Sequence, residues 1–354
     1  MKIAITIDSQ IINDLNAAIS SFPLKAPALT PNLLDQFYEL ERKEIYKVFH
    51  DAKLVDEMQE MISNLNKLVG VMNNNVKEGI KWYRAFERVI RLDFEGLEYL
   101  YLKQWAISVE ALYYYKIKKN RLAFSLTLEC ISLNEMLIKE GIPSLLFRSI
   151  EQNKNISKIL FKKGEKQNAF RLKRSLLEYF VDGHSENLYG QALYDSNLWN
   201  KYPLVREGFA YGYFAELVYE LATIKQDQED YFSSVFRSMK IKEPANCHII
   251  YDWIELKRFW YDGDFENFLL GFIKYMAKET MTTLDFIKVS LIADVKLLLT
   301  KANHEHYTGS LTMRLQRYVE DNFDGMDYFK NSYTKEAVEF IDRFDINFSM
   351  HELK

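Results

Sequence analysis

Glycine and proline are scarce in this chain, with 13 Gly and 6 Pro among 354 residues. They supply the left-handed and fixed-φ positions on which tight turns depend. Three of the prolines, Pro23, Pro27 and Pro31, sit close together, so the rest of the chain is emptier still. A β-rich fold with many tight turns is therefore excluded, and long helices are expected. Apolar spacing agrees. "LLDQFYELERKEIYKVF" sets Leu33, Phe37, Leu40, Ile45 and Phe49 near one face. Leu54, Met58, Met61, Leu65 and Leu68 recur at three-to-four spacing, which predicts a helix over 52–72. "NNN" at 73–75 closes it, and a third helix is expected over 76–91.

From residue 97 the helical signal strengthens and becomes paired. "LEYLYLKQWAISVEALYYYKI" is followed by the break "KKN" and the returning helix "RLAFSLTLECISLNEMLIKEG". Gly141 ends that helix, with Pro143 beyond it. The layout recurs around "KQDQED", "DGD" and "KANHEHYTGS", near residues 227, 263 and 304. Turns about 36 to 41 residues apart fall in the range of helical-hairpin repeats. The expected fold is all-α, with antiparallel helical hairpins stacked in a repeat-like, α-solenoid-like array. The tetratricopeptide pattern does not fit.

Two places interrupt this order. "FPLKAPALTP" at 22–31 reads as an extended linker, and Thr30-Pro31 opens the helix after it. Residues 182–207 break the periodicity and are the first place to look for a domain boundary or functional loop. The expected division is an N-terminal helical region at 1–95 and a hairpin domain at 96–350. At the start, "IAITI" alternates like a short strand, while Asp8 or Ser9 can cap a first helix through about residue 21.

The chain carries a net charge of −4, which gives no overall bias toward nucleic acid or anionic membrane. No window is long and apolar enough to span a bilayer, and Asp8 interrupts any signal-peptide-like run. A cytoplasmic location is expected. Cys130 and Cys247 lie in apolar contexts and read as buried reduced thiols. With 24 Phe, 23 Tyr and 5 Trp, many rings are expected half-buried on helix seams or contact surfaces, with wet tyrosine hydroxyls.

Few residues suggest chemistry. "WYDGDFENF" places Asp262, Asp264 and Glu266 at alternate positions, like the start of a calcium loop. Such a loop needs glycine at its sixth position and a bidentate glutamate at its twelfth. Here those positions are Asn267 and Ile273, so the stretch reads as a turn in which Gly263 ends one helix and Asp264 caps the next. His304 and His306 form an H-x-H pair with no third ligand nearby, read as a polar turn. Cys247-His248 reads as a helix start. Gly208 and Gly212, four apart, read as permitting close helix packing. Phosphate-loop and zinc motifs are absent, so no catalytic residue, metal or cofactor is expected. A rival enzymatic reading needs Asp182, His184 and Glu186 to converge in one pocket.

Two charge clusters remain as candidate partner-binding surfaces. Residues 154–174 hold Lys154, Lys158, Lys162, Lys163, Lys166, Arg171, Lys173 and Arg174 against the single acid Glu165. Lys162, Lys163, Lys166 and Arg171 are the proposed contacts to phosphates or an acidic partner. Glu320, Asp321, Asp324 and Asp327 form an acidic group suited to a basic partner. The bland alternative for both is a solvated helix face.

The order of features over about 97–325 resembles a family of all-helical immunity proteins from bacterial polymorphic toxin systems, catalogued as immunity protein forty-nine. "YLYLKQWAISVEALYYYKI", "FAELVYELATIKQDQEDYFSSVFRSM", "YDWIELKRFWYDGDFENFLLGFIKYM" and "DFIKVSLIADVKLLLTKANHEHYTGSLTMRLQRY" carry the likeness. It lies in turn placement and aromatic positions, and no binding residue carries over. The resemblance implies a cytoplasmic protein that neutralises a cognate toxin by binding it. The expected function is therefore protein binding without catalysis, as an immunity protein. The alternative is a helical-repeat scaffold or regulator that binds a partner protein or peptide.

Overall fold

The computed structural model describes residues 3–23, 33–183, 186–224, 227–239, 248–278, 285–301, 305–323 and 334–349. The chain is all-α in architecture, with one small parallel sheet. Two compact units are present. One comprises residues 31–206, and the other comprises 1–30 together with 207–354. Across residue 95, the helices at 52–74 and 76–93 pack directly on the helix at 96–116.

In the 31–206 unit, α2 (Leu33–Phe49), α3 (Ala52–Asn74) and α4 (Val76–Asp93) lead into α5 (Gly96–Lys116). Then come α6 (Asn120–Lys139), α7 (Leu145–Lys162) and α8 (Lys166–Asp182). Successive helices pack on one another, as short connections require of antiparallel neighbours. The expected helices are present within one or two residues at their ends. Asn75 closes α3 and opens α4, its side chain accepting from Glu78 N at 3.2 Å. Gly141 leaves α6 at φ +106°. Buried apolar side chains of α3 (Val55, Met58, Ile62, Leu65, Leu68, Met72) pack with Tyr101, Leu102 and Trp105 of α5. The irregular section holds a 3-10 turn, Gln191–Tyr194, and the short α9 (Ser196–Asn200).

In the other unit, β1 (Ile3–Asp8) precedes α1 (Ser9–Ile19). Strand and helix readings of the opening residues are both realised, because Asp8 ends the strand and caps the helix through Gln10 N at 2.8 Å. After α10 (Pro203–Thr223) come α11 (Gln228–Phe232), which continues as a π turn over Ser233–Arg237, and α12 (His248–Asp262). The order ends with α13 (Phe265–Met276), α14 (Asp285–Lys301), α15 (Glu305–Asn322), α16 (Lys335–Asp342) and β2 (Phe344–Ser349). β1 and β2 pair in parallel, with Ile3 opposite Phe344 and Ile5 opposite Ile346. The core here is aromatic. Trp253 meets Phe214 and Phe236 edge-on, each at 5.2 Å between centroids.

The "DGD" turn forms as read. Gly263 takes φ +75°, and Asp264 caps α13 by accepting from Asn267 N at 3.3 Å. Asp262 instead pairs with Arg237 at 2.6 Å, and Glu266 accepts from Asp8 N at 3.1 Å. These three acids thus serve three separate contacts. Gly212 departs from expectation. It is exposed, and a Cβ added there would meet nothing within 4 Å, so it brings no helix close. Close approaches occur instead at Gly79 of α4, where a Cβ would lie 2.7 Å from the Met72 backbone of α3, and at Gly271 of α13, where it would meet the Leu256 side chain of α12.

Candidate functional site

In the unit of 1–30 and 207–354 a concavity lies between the start of α11 and α16. It is a groove of about 470 Å³. Its floor is aromatic and fixed. Tyr261 stacks on Phe232 at 4.6 Å, and Phe340 packs on Tyr261 at 5.6 Å and on Trp260 at 5.9 Å. Its walls carry Asp227, Glu229 and Asp230 on one side and Glu336 and Glu339 on the other, with Arg343 as the one cation.

Local sequence explains this placement. Asp227 sits at the left-handed φ of +66° before α11, so Glu229 and Asp230 fall in that helix's first turn. Glu336 falls in the first turn of α16, which Thr334 caps through Ala337 N at 3.2 Å. Carboxylates at helix N-termini are favoured by the helix dipole. Two helix starts that converge therefore bring their acids together. Arg343 offsets Glu229 at 3.4 Å, and Lys335 offsets Glu339, one turn further along α16, at 3.4 Å. The groove can hold a cationic side chain over an aromatic floor, which combines charge pairing with cation–π attraction.

A second cluster is internal to the 31–206 unit. Glu41 and Glu44, one turn apart on α2, are both buried. Tyr101 donates to Glu41 at 2.8 Å, and burial raises the Glu41 carboxyl above its ordinary range. Glu44 accepts from Ser144 N at 2.8 Å, at the start of α7, and from the Tyr202 hydroxyl. The Arg148 guanidinium lies over the Trp105 ring at 3.5 Å, and its charge partly offsets the burial of Glu41. Both carboxylates are thus held by hydrogen bonds, while Trp105 Nε1, Ser144 Oγ and Arg148 Nε are buried without one among the described residues. The same pairing recurs as Tyr83 to Glu110 at 3.2 Å and Tyr231 to Glu220 at 2.8 Å. The expectation of wet tyrosine hydroxyls thus fails for these side chains, because buried or half-buried glutamates accept from them.

The sequence-predicted residues are dispersed. Glu320 and Asp321 are exposed at the end of α15, where Glu320 accepts from Gln316 at 3.0 Å. Neither lines the groove, and Asp324 and Asp327 lie outside the described residues. Lys162, Lys163, Lys166 and Arg171 are exposed around the α7–α8 turn. Lys163 pairs with Glu165 at 2.6 Å. Elsewhere in the basic run Lys173 is buried, Lys154 meets Glu151 at 3.3 Å and Arg174 meets Glu178 at 3.8 Å.

Cys130 is buried and donates to the Gln104 carbonyl at 3.2 Å, and burial pushes its thiol up to about 12. Cys247, His184, His304 and His351 lie outside the described residues, as does the His306 side chain. Asp182 is half-buried and Glu186 exposed, and the convergence with His184 falls outside the described residues. Among the described residues no three His, Cys, Asp or Glu side chains are placed to hold a metal ion. Among them, too, no helix is long and apolar enough to cross a membrane.

No family model, no curated protein and no solved structure matches the chain.

Proposed function

We propose that this chain is a non-catalytic protein-binding molecule whose partner presents a basic segment to the α11–α16 groove. Within that class we read it as an immunity protein that neutralises a bacterial toxin by occlusion. The observation that carries the binding reading is the groove itself, with five carboxylates and one arginine around a fixed aromatic floor. Rigid aromatic anchors inside a polar rim are the usual composition of a binding hot spot. The toxin reading adds the likeness of the hairpin series to the immunity family.

The test is co-expression of the chain with toxins encoded beside it. Rescue of growth, and a co-purifying one-to-one complex, are the expected results. Glu336→Lys and Glu339→Lys together should slow association about tenfold at low salt, with the gap closing as salt rises. Failure to rescue against every neighbouring toxin sinks the toxin reading. An association rate indifferent to both substitutions sinks the groove.

A further inference from the structure

The basic run of residues 154–174 takes no part in the acidic groove, yet its first turns border a cleft of their own. That cleft has a volume of about 300 Å³ and lies among α3, α5, α6 and α7 of the 31–206 unit. Helical spacing assembles it. Ser108, Ala111, Leu112 and Tyr115 form one face of α5, and Asn155, Lys158 and Ile159 form one face of α7. Val69 and Asn73 face in from α3, and Thr127 from α6. The space exists because Ser108, Ala111 and Thr127 are small where neighbouring core positions are large.

The lining has a clear chemical sign. Lys158 contributes a cation, and no Asp or Glu is among the residues that line the cleft. Lys162, one turn further along α7, places its ammonium 5.9 Å from the centre of the Tyr115 ring, which forms part of the wall. The polar wall is braced from behind. Buried Gln152 donates to Ser108 Oγ at 3.4 Å and accepts from Asn155 Nδ2 at 3.3 Å. Ser108 keeps its own proton to donate, and Asn155 keeps its carbonyl to accept. Val69, Ala111, Leu112 and Ile159 supply the apolar side. The volume sits at the small end of the range of ligand pockets, about 300–1,000 Å³.

We propose that this cleft binds a small anionic amphiphile, with a carboxylate or phosphate head at Lys158 and Lys162 and a short apolar body against Ala111, Leu112 and Ile159. The site stands apart from the groove reading and does not depend on it. Lys173 is buried, and Lys154, Lys163 and Arg174 each meet a neighbouring acid. Lys158 and Lys162 are the two placed at the cleft.

The experiment is calorimetric titration of the full chain with 4-phenylbutyrate, phenyl phosphate and the neutral 4-phenylbutan-1-ol. At least one anion should bind at least about tenfold more tightly than the alcohol, and the stronger of the two identifies the head group. Lys158→Met with Lys162→Met, both exposed, should weaken that anion about tenfold while the variant keeps one cooperative unfolding transition. Ala111→Trp, which fills the cleft, should abolish it. Any of three results overturns the proposal: equal affinity for the alcohol, unchanged affinity in the double lysine variant, or no binding of either anion at about 10 mM. Should Ala111→Trp fail to fold, the lysine variant and the alcohol still decide the matter.

Discussion

Gly263 shows how much one backbone position can fix. Its φ of +75° needs a residue without a side chain, and an added Cβ would lie 2.8 Å from the Phe344 ring. Gly263→Ala therefore meets both backbone strain and a clash with a half-buried aromatic ring. A loss of about 2–4 kcal/mol is expected from urea unfolding. Gly212→Ala is the control. That exposed helical position has open space around it, and the change should stabilise by about 0.5–1 kcal/mol. The turn at Gly263 was legible because its signals are local: a glycine, a capping acid and a resumed apolar period. The tyrosine–glutamate pairs were not. Tyr101 and Glu41 are 60 residues apart, and Tyr202 and Glu44 are 158 apart. Periodicity identifies a buried face but not the partner a polar group meets across it.

Glu41 also sets a pH dependence. Burial raises its folded-state value, and the nearby Glu44 adds to that, while Tyr101 and Arg148 oppose it. The folded chain therefore holds this proton at pH values where the unfolded chain has lost it. The contribution is fully present below the unfolded carboxylate value of about 4.3, and stability falls as pH rises through the folded value. Glu110 and Asp294 are raised in the same direction. Glu41→Gln keeps an acceptor for Tyr101 and removes this one titration. Its stability, followed by urea midpoint from pH 4 upward, should decline less steeply than that of the wild type. Parallel profiles would show that Glu41 does not titrate in this window.

Among elements, α2 is held by polar contacts as well as by its apolar face. Glu44 reaches from α2 to the first turn of α7 and to Tyr202 near the end of the irregular section. Glu44→Ala leaves a buried N–H and a buried hydroxyl without their acceptor. A loss of about 2–4 kcal/mol is expected, against about 1 kcal/mol for Glu44→Gln, which can still accept. The measurement is the unfolding free energy of the 31–206 unit. Helix identities and most ends were legible from apolar spacing and capping residues. The acidic groove was not, because its two walls come from Asp227–Asp230 and Glu336–Glu339, more than 100 residues apart in sequence. Each wall alone reads as a helix start with ordinary acids.

For the whole molecule, the two unit boundaries fall at residues 30/31 and 206/207. The first is at the end of the proline-rich stretch, and the second falls within the first turns of α10, just past the irregular section. The continuous 31–206 unit has a cluster of buried side chains drawn from α2 through α7. It should fold when expressed alone, with helical circular dichroism and one cooperative urea transition. The 207–354 segment alone should not. Its core is completed by β1, which pairs with β2, and by α1, whose buried Ile11, Ile12, Leu15 and Ile19 pack beside α13 and α15. Arg314 on α15 further binds the Asn16 carbonyl at 2.8 Å. Removing residues 1–30 would expose those apolar faces and leave β2 without a partner strand. Adding a peptide of residues 3–23 to the 207–354 segment should restore a cooperative transition. A segment that folds equally well without that peptide would show that the two terminal elements contribute little to this unit.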